Sequence, residues 1–159
     1  ASTAQGIAIA LDIPVVSIST LAVLAQVSLD KYDLPNVLVS LDARMGEAYW
    51  AVYDRDDRGL ATLNGSENLN KLDDVFLNKV PAVGTGHGWL VGEEIWRHNF
   101  LKEQEIILDS ALLPNATALL ILAKQAITNG GVVLPENVSI NYLRNNVAEK
   151  SKKNPLARG

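Results

Sequence analysis

The stretch Val37-Leu38-Val39-Ser40-Leu41 is almost wholly apolar, the pattern of a strand covered on both faces. After the turn Asp42-Ala43-Arg44-Met45-Gly46-Glu47, residues 48–53 are aromatic and β-branched and read as the returning strand. Gly46 is free to take the positive φ that such a turn needs. This hairpin limits the chain to folds built round a central sheet. Asp56-Asp57-Arg58-Gly59 forms a second turn and a short third strand follows, so the sheet opens with a three-stranded meander.

The rest of the chain alternates between the two periodicities. Residues 2–11 predict a short, well-buried helix capped by Ser2 or Thr3 and ended by Pro14. Residues 14–18 read as a strand. Ser19 or Thr20 then caps a helix on which Leu21, Leu24, Ala25 and Leu29 recur at helical spacing. Leu69, Leu72, Val75 and Phe76 predict a helix over 69–77, followed by a short strand over 80–83. A helix is expected over 89–96 and a short strand over 106–108. The clearest helix covers 115–126, capped by Asn115, with Leu119, Leu122, Ala123 and Ala126 on one face and Asn129-Gly130-Gly131 as its stop. Helices and strands alternating after an antiparallel start define an α/β fold with a mixed sheet.

Composition narrows the function. The 159 residues carry a formal net charge of -4, so broad RNA or DNA binding by this chain is not expected. The basic cluster Lys150, Lys152 and Lys153 lies in a tail at 151–159 and its margin, read as flexible and solvated. There are no cysteines, which excludes disulfides, thiolate metal sites and a cysteine nucleophile. No apolar run reaches the ~20 residues that span a bilayer, and no basic region precedes an apolar one as in a secretory signal. A cytoplasmic protein is expected. The chain opens at Ala1 directly into a helical pattern, as a fragment, a processed protein or a trimmed one would.

Five motifs are candidates for function. Gly84-Thr85-Gly86-His87-Gly88 lies between a strand and a helix, and is either a phosphate-contacting loop or a tight turn. Asp42, Arg44 and Glu47 at the hairpin tip would bind a metal, orient a phosphate, dock a partner, or cap the turn with a local ion pair. His87 and His98, eleven residues apart without a paired carboxylate, do not form a zinc signature. Tyr142, Arg144, Asn145 and Asn146 either face a ligand or partner, or tie down the chain end with amide hydrogen bonds. Trp50, Trp89 and Trp96 are expected in the core. No Ser-His-Asp arrangement can be assembled.

Four stretches, in order and with matching spacing, resemble the TsaB (YeaZ) family. They are the opening Ala4-Gln5-Gly6 to Leu11 with 14–21, then Leu41 to Ala51, then Val83-Gly84-Thr85-Gly86 with Trp89, then Tyr142 to Ala148. The resemblance implies a ribonuclease-H-like lobe of the actin, Hsp70 and sugar-kinase superfamily. It implies that residues 1–150 are the second lobe with its linking helix, without the N-terminal lobe of longer family members. It also implies a non-catalytic scaffold for making threonylcarbamoyladenosine beside the tRNA anticodon. TsaD-like and TsaE-like proteins would be its partners, with ATP used by the complex and no cofactor or metal held by this chain. A homodimer stays open. On that reading Asp42, Arg44, Glu47, Gly84, Thr85, Gly86, Tyr142, Arg144, Asn145 and Asn146 are the nucleotide- or partner-facing candidates. Two rivals remain: a nucleotide-dependent phosphotransferase of the same superfamily, suggested by the Gly84–Gly88 loop, and, more remotely, a peptidase.

Overall fold

A computed structural model describes residues 2–75, 77, 81–92, 94–96, 106–139 and 143. Its centre is a five-stranded sheet. Strands β2 (Asn36–Arg44), β3 (Glu47–Arg55) and β4 (Ala61–Lys71) form the meander, and β5 (Val83–Thr85) and β6 (Ile107–Asp109) extend it. The spatial order is β4-β3-β2-β5-β6, antiparallel within the meander and parallel from β2 through β5 to β6. A second, two-stranded sheet pairs β1 (Val15–Val16) with β7 (Val132–Val133). The helices are α1 (Ser2–Leu11), α2 (Thr20–Tyr32), the short α3 (Gly88–Val91) and α4 (Ala116–Thr128).

The apolar run does what its pattern requires. Val37, Leu38, Val39 and Ser40 are all fully buried, alternate residues facing opposite sides of the sheet. On one side Val37 and Val39 meet Leu21, Leu24, Ala25 and Leu29 of α2, with Ala51, Tyr53 and Val83 completing the cluster. On the other, Leu38 and Ala48 pack with Leu72, Val75, Trp89 and Trp96. Helix α2 begins where Ser19 Oγ accepts the Leu21 amide, and ends at Asp33 in the left-handed conformation. Arg55 donates to the carbonyls of Leu29 and Leu34, which ties the end of that helix to β3.

Several expectations need correction. The helix expected over 69–77 is instead the second half of β4 followed by a 3-10 turn, Leu72–Asp74. Ladder pairing of Tyr49 with Leu69 and Ala48 with Asn70 overrides the helical spacing, which nonetheless places Leu72 and Val75 in the core. The third strand is accordingly long rather than short. The opening helix α1 forms where predicted but is not well buried: only Ala8 is, while Ile7, Ile9 and Leu11 are exposed. Leu119 of α4 is exposed, and the helix meets α2 through Ala118 and Leu122 against Val23.

Trp89 and Trp96 are core, as expected, their ring centroids 4.6 Å apart. They sit on two short helical pieces separated by Gly92 rather than one helix, and the Trp96 indole N–H donates to the Gly88 carbonyl at 3.2 Å. Trp50 is only half-buried.

Candidate functional site

The hairpin tip is tighter than its sequence suggests. β2 runs to Arg44 and β3 starts at Glu47, with these two residues paired and Met45-Gly46 as the loop. Arg44, Met45 and Gly46 all have positive φ, at 66°, 59° and 74°. A two-residue turn whose central residues are both left-handed matches the twist of the flanking strands, but only glycine takes that conformation without strain. The Asp42 carboxylate braces it, accepting the Arg44 amide at 2.7 Å and facing the Arg44 guanidinium at 3.3 Å. The Arg44 side chain is 87% exposed and Asp42 only 12%. Carboxylate and arginine form the local ion pair foreseen among the readings of this turn, and the arginine remains accessible.

The glycine loop lies against the same end of β2. A Cβ on Gly86 would come within 2.4 Å of the Ser40 carbonyl, and one on Gly88 within 2.2 Å of Ser40 Oγ. One on Gly84 would strike the Trp89 ring at 2.3 Å. Close packing of strand, turn and indole therefore accounts for all three glycines. The Gly86 amide donates to the Asp109 carbonyl at 3.1 Å, and Thr85 Oγ1 donates to that same carbonyl at 3.1 Å. His87 is exposed and its Nδ1 accepts the Asp42 amide at 3.2 Å. That hydrogen bond joins the two motifs, so Asp42, Arg44, Glu47, Gly84, Thr85 and Gly86 gather at one end of the sheet. Tyr142, Arg144, Asn145, Asn146 and His98 lie outside the described residues.

Sequence reasoning missed Asp109. Its carboxylate accepts from Lys31 Nζ and from the Tyr32 hydroxyl, each at 2.7 Å. The Lys31 ammonium, and then Tyr32, hold it below the usual carboxylate range against the opposing effect of burial. The cluster locks the end of α2 to the C-terminal ends of β5 and β6. Its partners are 77 and 78 positions away in sequence, so the one available signal was an aspartate ending a short aliphatic run, Ile106-Ile107-Leu108. Among the described residues no group of three or more His, Asp or Glu is placed to hold a metal ion. This end of the sheet presents an exposed arginine, an exposed histidine and a turn with three consecutive positive-φ residues.

A three-stranded meander continued by parallel strands, with helices on both faces, is the ribonuclease-H-like lobe of the actin-like fold. The family profile for TsaD, tRNA N6-adenosine threonylcarbamoyltransferase, matches residues 1–152. The tRNA threonylcarbamoyladenosine biosynthesis protein TsaB of Escherichia coli (strain K12) is 35% identical, over 92% of this chain and 64% of its own length. The TsaB of Buchnera aphidicola subsp. Schizaphis graminum is 38% identical, over 71% of this chain and 53% of its own. A Pseudomonas aeruginosa crystal structure, described as an uncharacterized protein with similarity to peptidase YeaZ, superposes with a TM-score of 0.78 at 34% identity. It covers 90% of this chain and 65% of that one. The chain belongs to the threonylcarbamoyltransferase family that the profile describes, and its relatives within it are TsaB (YeaZ) proteins. It spans about two thirds or less of the length of those relatives.

Proposed function

We propose that this chain is the second lobe of a TsaB-like scaffold subunit in tRNA threonylcarbamoylation, working in the cytoplasm and without catalytic residues of its own. The observation that carries the proposal is the match to TsaB proteins over nearly all of this chain but under two thirds of the E. coli protein. The exposed apolar layer supports the two-lobe reading. α1, β7 and α4 carry Ile7, Ile9, Leu11, Leu120, Val132 and Val133 exposed on their surfaces, and clustered exposed aliphatic residues mark surfaces that pack against a partner. A first lobe packed on this layer would cover it. A TsaD-like catalytic subunit and a TsaE-like ATPase are the partners, with ATP used by the assembly. The hairpin tip, with the exposed His87 that follows the Gly84–Gly86 stretch, faces a partner or a nucleotide at the lobe boundary, together with Tyr142, Arg144, Asn145 and Asn146.

Complementation tests the reading. A gene joining this lobe to a TsaB first lobe is expressed in bacteria depleted of TsaB, and threonylcarbamoyladenosine is measured by mass spectrometry of digested tRNA. Restored modification is expected, with none from this chain alone. Absence of rescue by the soluble two-lobed protein defeats the proposal. A thermal shift of this chain with ATP and magnesium addresses the phosphotransferase rival: a shift of several degrees favours an enzyme, and none favours the scaffold.

A further inference from the structure

A cavity of about 480 Å³ opens on the sheet face away from α2, toward the strand ends remote from the Met45-Gly46 turn. An irregular register builds it. Trp50 of β3 pairs with Asn68 of β4, while Val52 pairs with Asn64, so four steps on one strand oppose two on the other. The surplus is taken up around Gly65, whose φ is +88°. The bulge sends Glu67 to the α2 side, where it accepts the Tyr53 hydroxyl at 2.6 Å, and leaves Asn64, Ser66 and Asn68 lining the cavity. Trp50 and Asp54 of β3 and Asn36 of β2 line it too.

These side chains are held in place before any ligand arrives. The Trp50 indole N–H donates to Asn70 Oδ1 at 3.0 Å, which fixes the ring. Asn64 Nδ2 donates to Asp54 Oδ2 at 2.7 Å. Asn68 Nδ2 donates to the Ser66 carbonyl at 2.7 Å, and its Oδ1 accepts from Ser66 Oγ at 3.1 Å. Asn36 Oδ1 accepts the Ala82 amide at 2.7 Å. The volume falls within the roughly 300–1,000 Å³ of small-molecule sites. An aromatic ring beside primary amides, each with a donor and an acceptor, suits a flat heterocycle read along its edge. Among the described residues that line the cavity there is no lysine or arginine, and Asp54 would repel a phosphate while accepting an amino or hydroxyl donor.

We infer that this cavity binds an uncharged nucleoside, its base against Trp50 and its donor groups on Asp54 and Asn64. The inference does not depend on the scaffold reading, because the ligand contacts it names, Trp50, Asp54 and Asn64, lie on β3 and β4. Calorimetric titration of the full chain with adenosine, cytidine, adenosine monophosphate and glucose tests it. A nucleoside is expected to bind at least several-fold more tightly than its monophosphate, since the Asp54 carboxylate in the lining repels a phosphate. Asn64→Ala, an exposed position that tolerates truncation, and Trp50→Leu are each expected to weaken nucleoside binding by about tenfold. Binding of glucose but no nucleoside overturns the inference, as does no binding up to about 10 mM, far weaker than a functional site would show. Nucleoside binding unaffected by Asn64→Ala also overturns it, because the ligand then sits elsewhere.

Discussion

The five-stranded sheet and the outer layer of α1, β1, β7 and α4 are built from similarly apolar sequence but handle it in opposite ways. In the sheet and the helix on it, aliphatic side chains disappear: Val37, Leu38 and Val83 of the strands are fully buried, as are Leu24 and Leu29 of α2, with the tryptophan cluster on the opposite face. In the outer layer, α1 buries one residue and α4 two, while Leu120 stands 67% exposed. Periodicity reports which residues share a helix face, but it does not report whether anything covers that face. The sheet is covered on both faces, whereas the layer leaves most of its large aliphatic side chains exposed.

The largest effect expected is in the core. Leu24→Ala should destabilise the chain by about 3 kcal/mol, the transfer loss plus an uncollapsed cavity. Leu120→Ala should change stability by less than about 0.5 kcal/mol. Urea unfolding followed by circular dichroism measures both, and similar values for the two would erase the distinction between regions.

The glycine loop sharpens the comparison from the other side, because there the sheet is packed too closely to accept one methyl group. Gly84→Ala is expected to cost about 2 kcal/mol as Trp89 and Leu108 are pushed aside. Gly6→Ala on α1, where nothing lies within 4 Å of the new Cβ, should instead stabilise by about 0.5–1 kcal/mol through helix propensity. A harmless Gly84→Ala would restore an anion-contact account of that glycine.

These contrasts show where the sequence could be read. The β2–β3 hairpin was legible because residues 37–41 and 48–53 are strong strand formers on either side of a turn. The second half of β4 was not: Asn64, Gly65, Asn68 and Asn70 are poor strand formers, and the strand exists because β3 supplies a ladder for it. Asp42 and Arg44 were recognisable as a local pair. Their link to the glycine loop through His87 crosses 45 positions, and the Asp109 lock crosses more. Such contacts follow from topology, which only the folded sheet reveals. Tyr142 to Asn146, a candidate on sequence, lies outside the described residues except Leu143.

The Asp109 lock predicts a pH dependence confined to the sheet. Its folded-state pKa is depressed, so its contribution is present above the ordinary carboxylate value of about 3.9 and is lost as pH falls through the lower folded value. Lys31 shifts the other way, raised mainly by its hydrogen bond to Asp109. Its contribution is therefore present below the ordinary lysine value and lost as pH rises through the folded one. Asp109→Asn removes the carboxylate charge, leaves the Lys31 ammonium without its anionic partner and weakens the Tyr32 hydrogen bond, for a loss of about 1 kcal/mol near neutral pH from the last of these. Thermal unfolding between pH 2 and pH 6 should show the variant and the parent converging at the acid end. A constant gap across that range would mean that the carboxylate charge contributes nothing to folding.

The smallest effect discriminates best between the two halves of the comparison. Leu120→Lys replaces an exposed leucine, so in this chain it should alter stability by less than about 0.5 kcal/mol. It should also reduce self-association, because the layer is the largest concentration of exposed aliphatic residues described, and a charge there opposes pairing of two such faces. In a two-lobed protein the same lysine would be buried at the lobe boundary and would destabilise by several kcal/mol. Measuring the one substitution in both contexts separates an apolar face that is always open from one meant to be covered. Equal, negligible effects in both would remove the outer layer from the lobe boundary and leave a second copy of this chain, read by sedimentation, as its occupant.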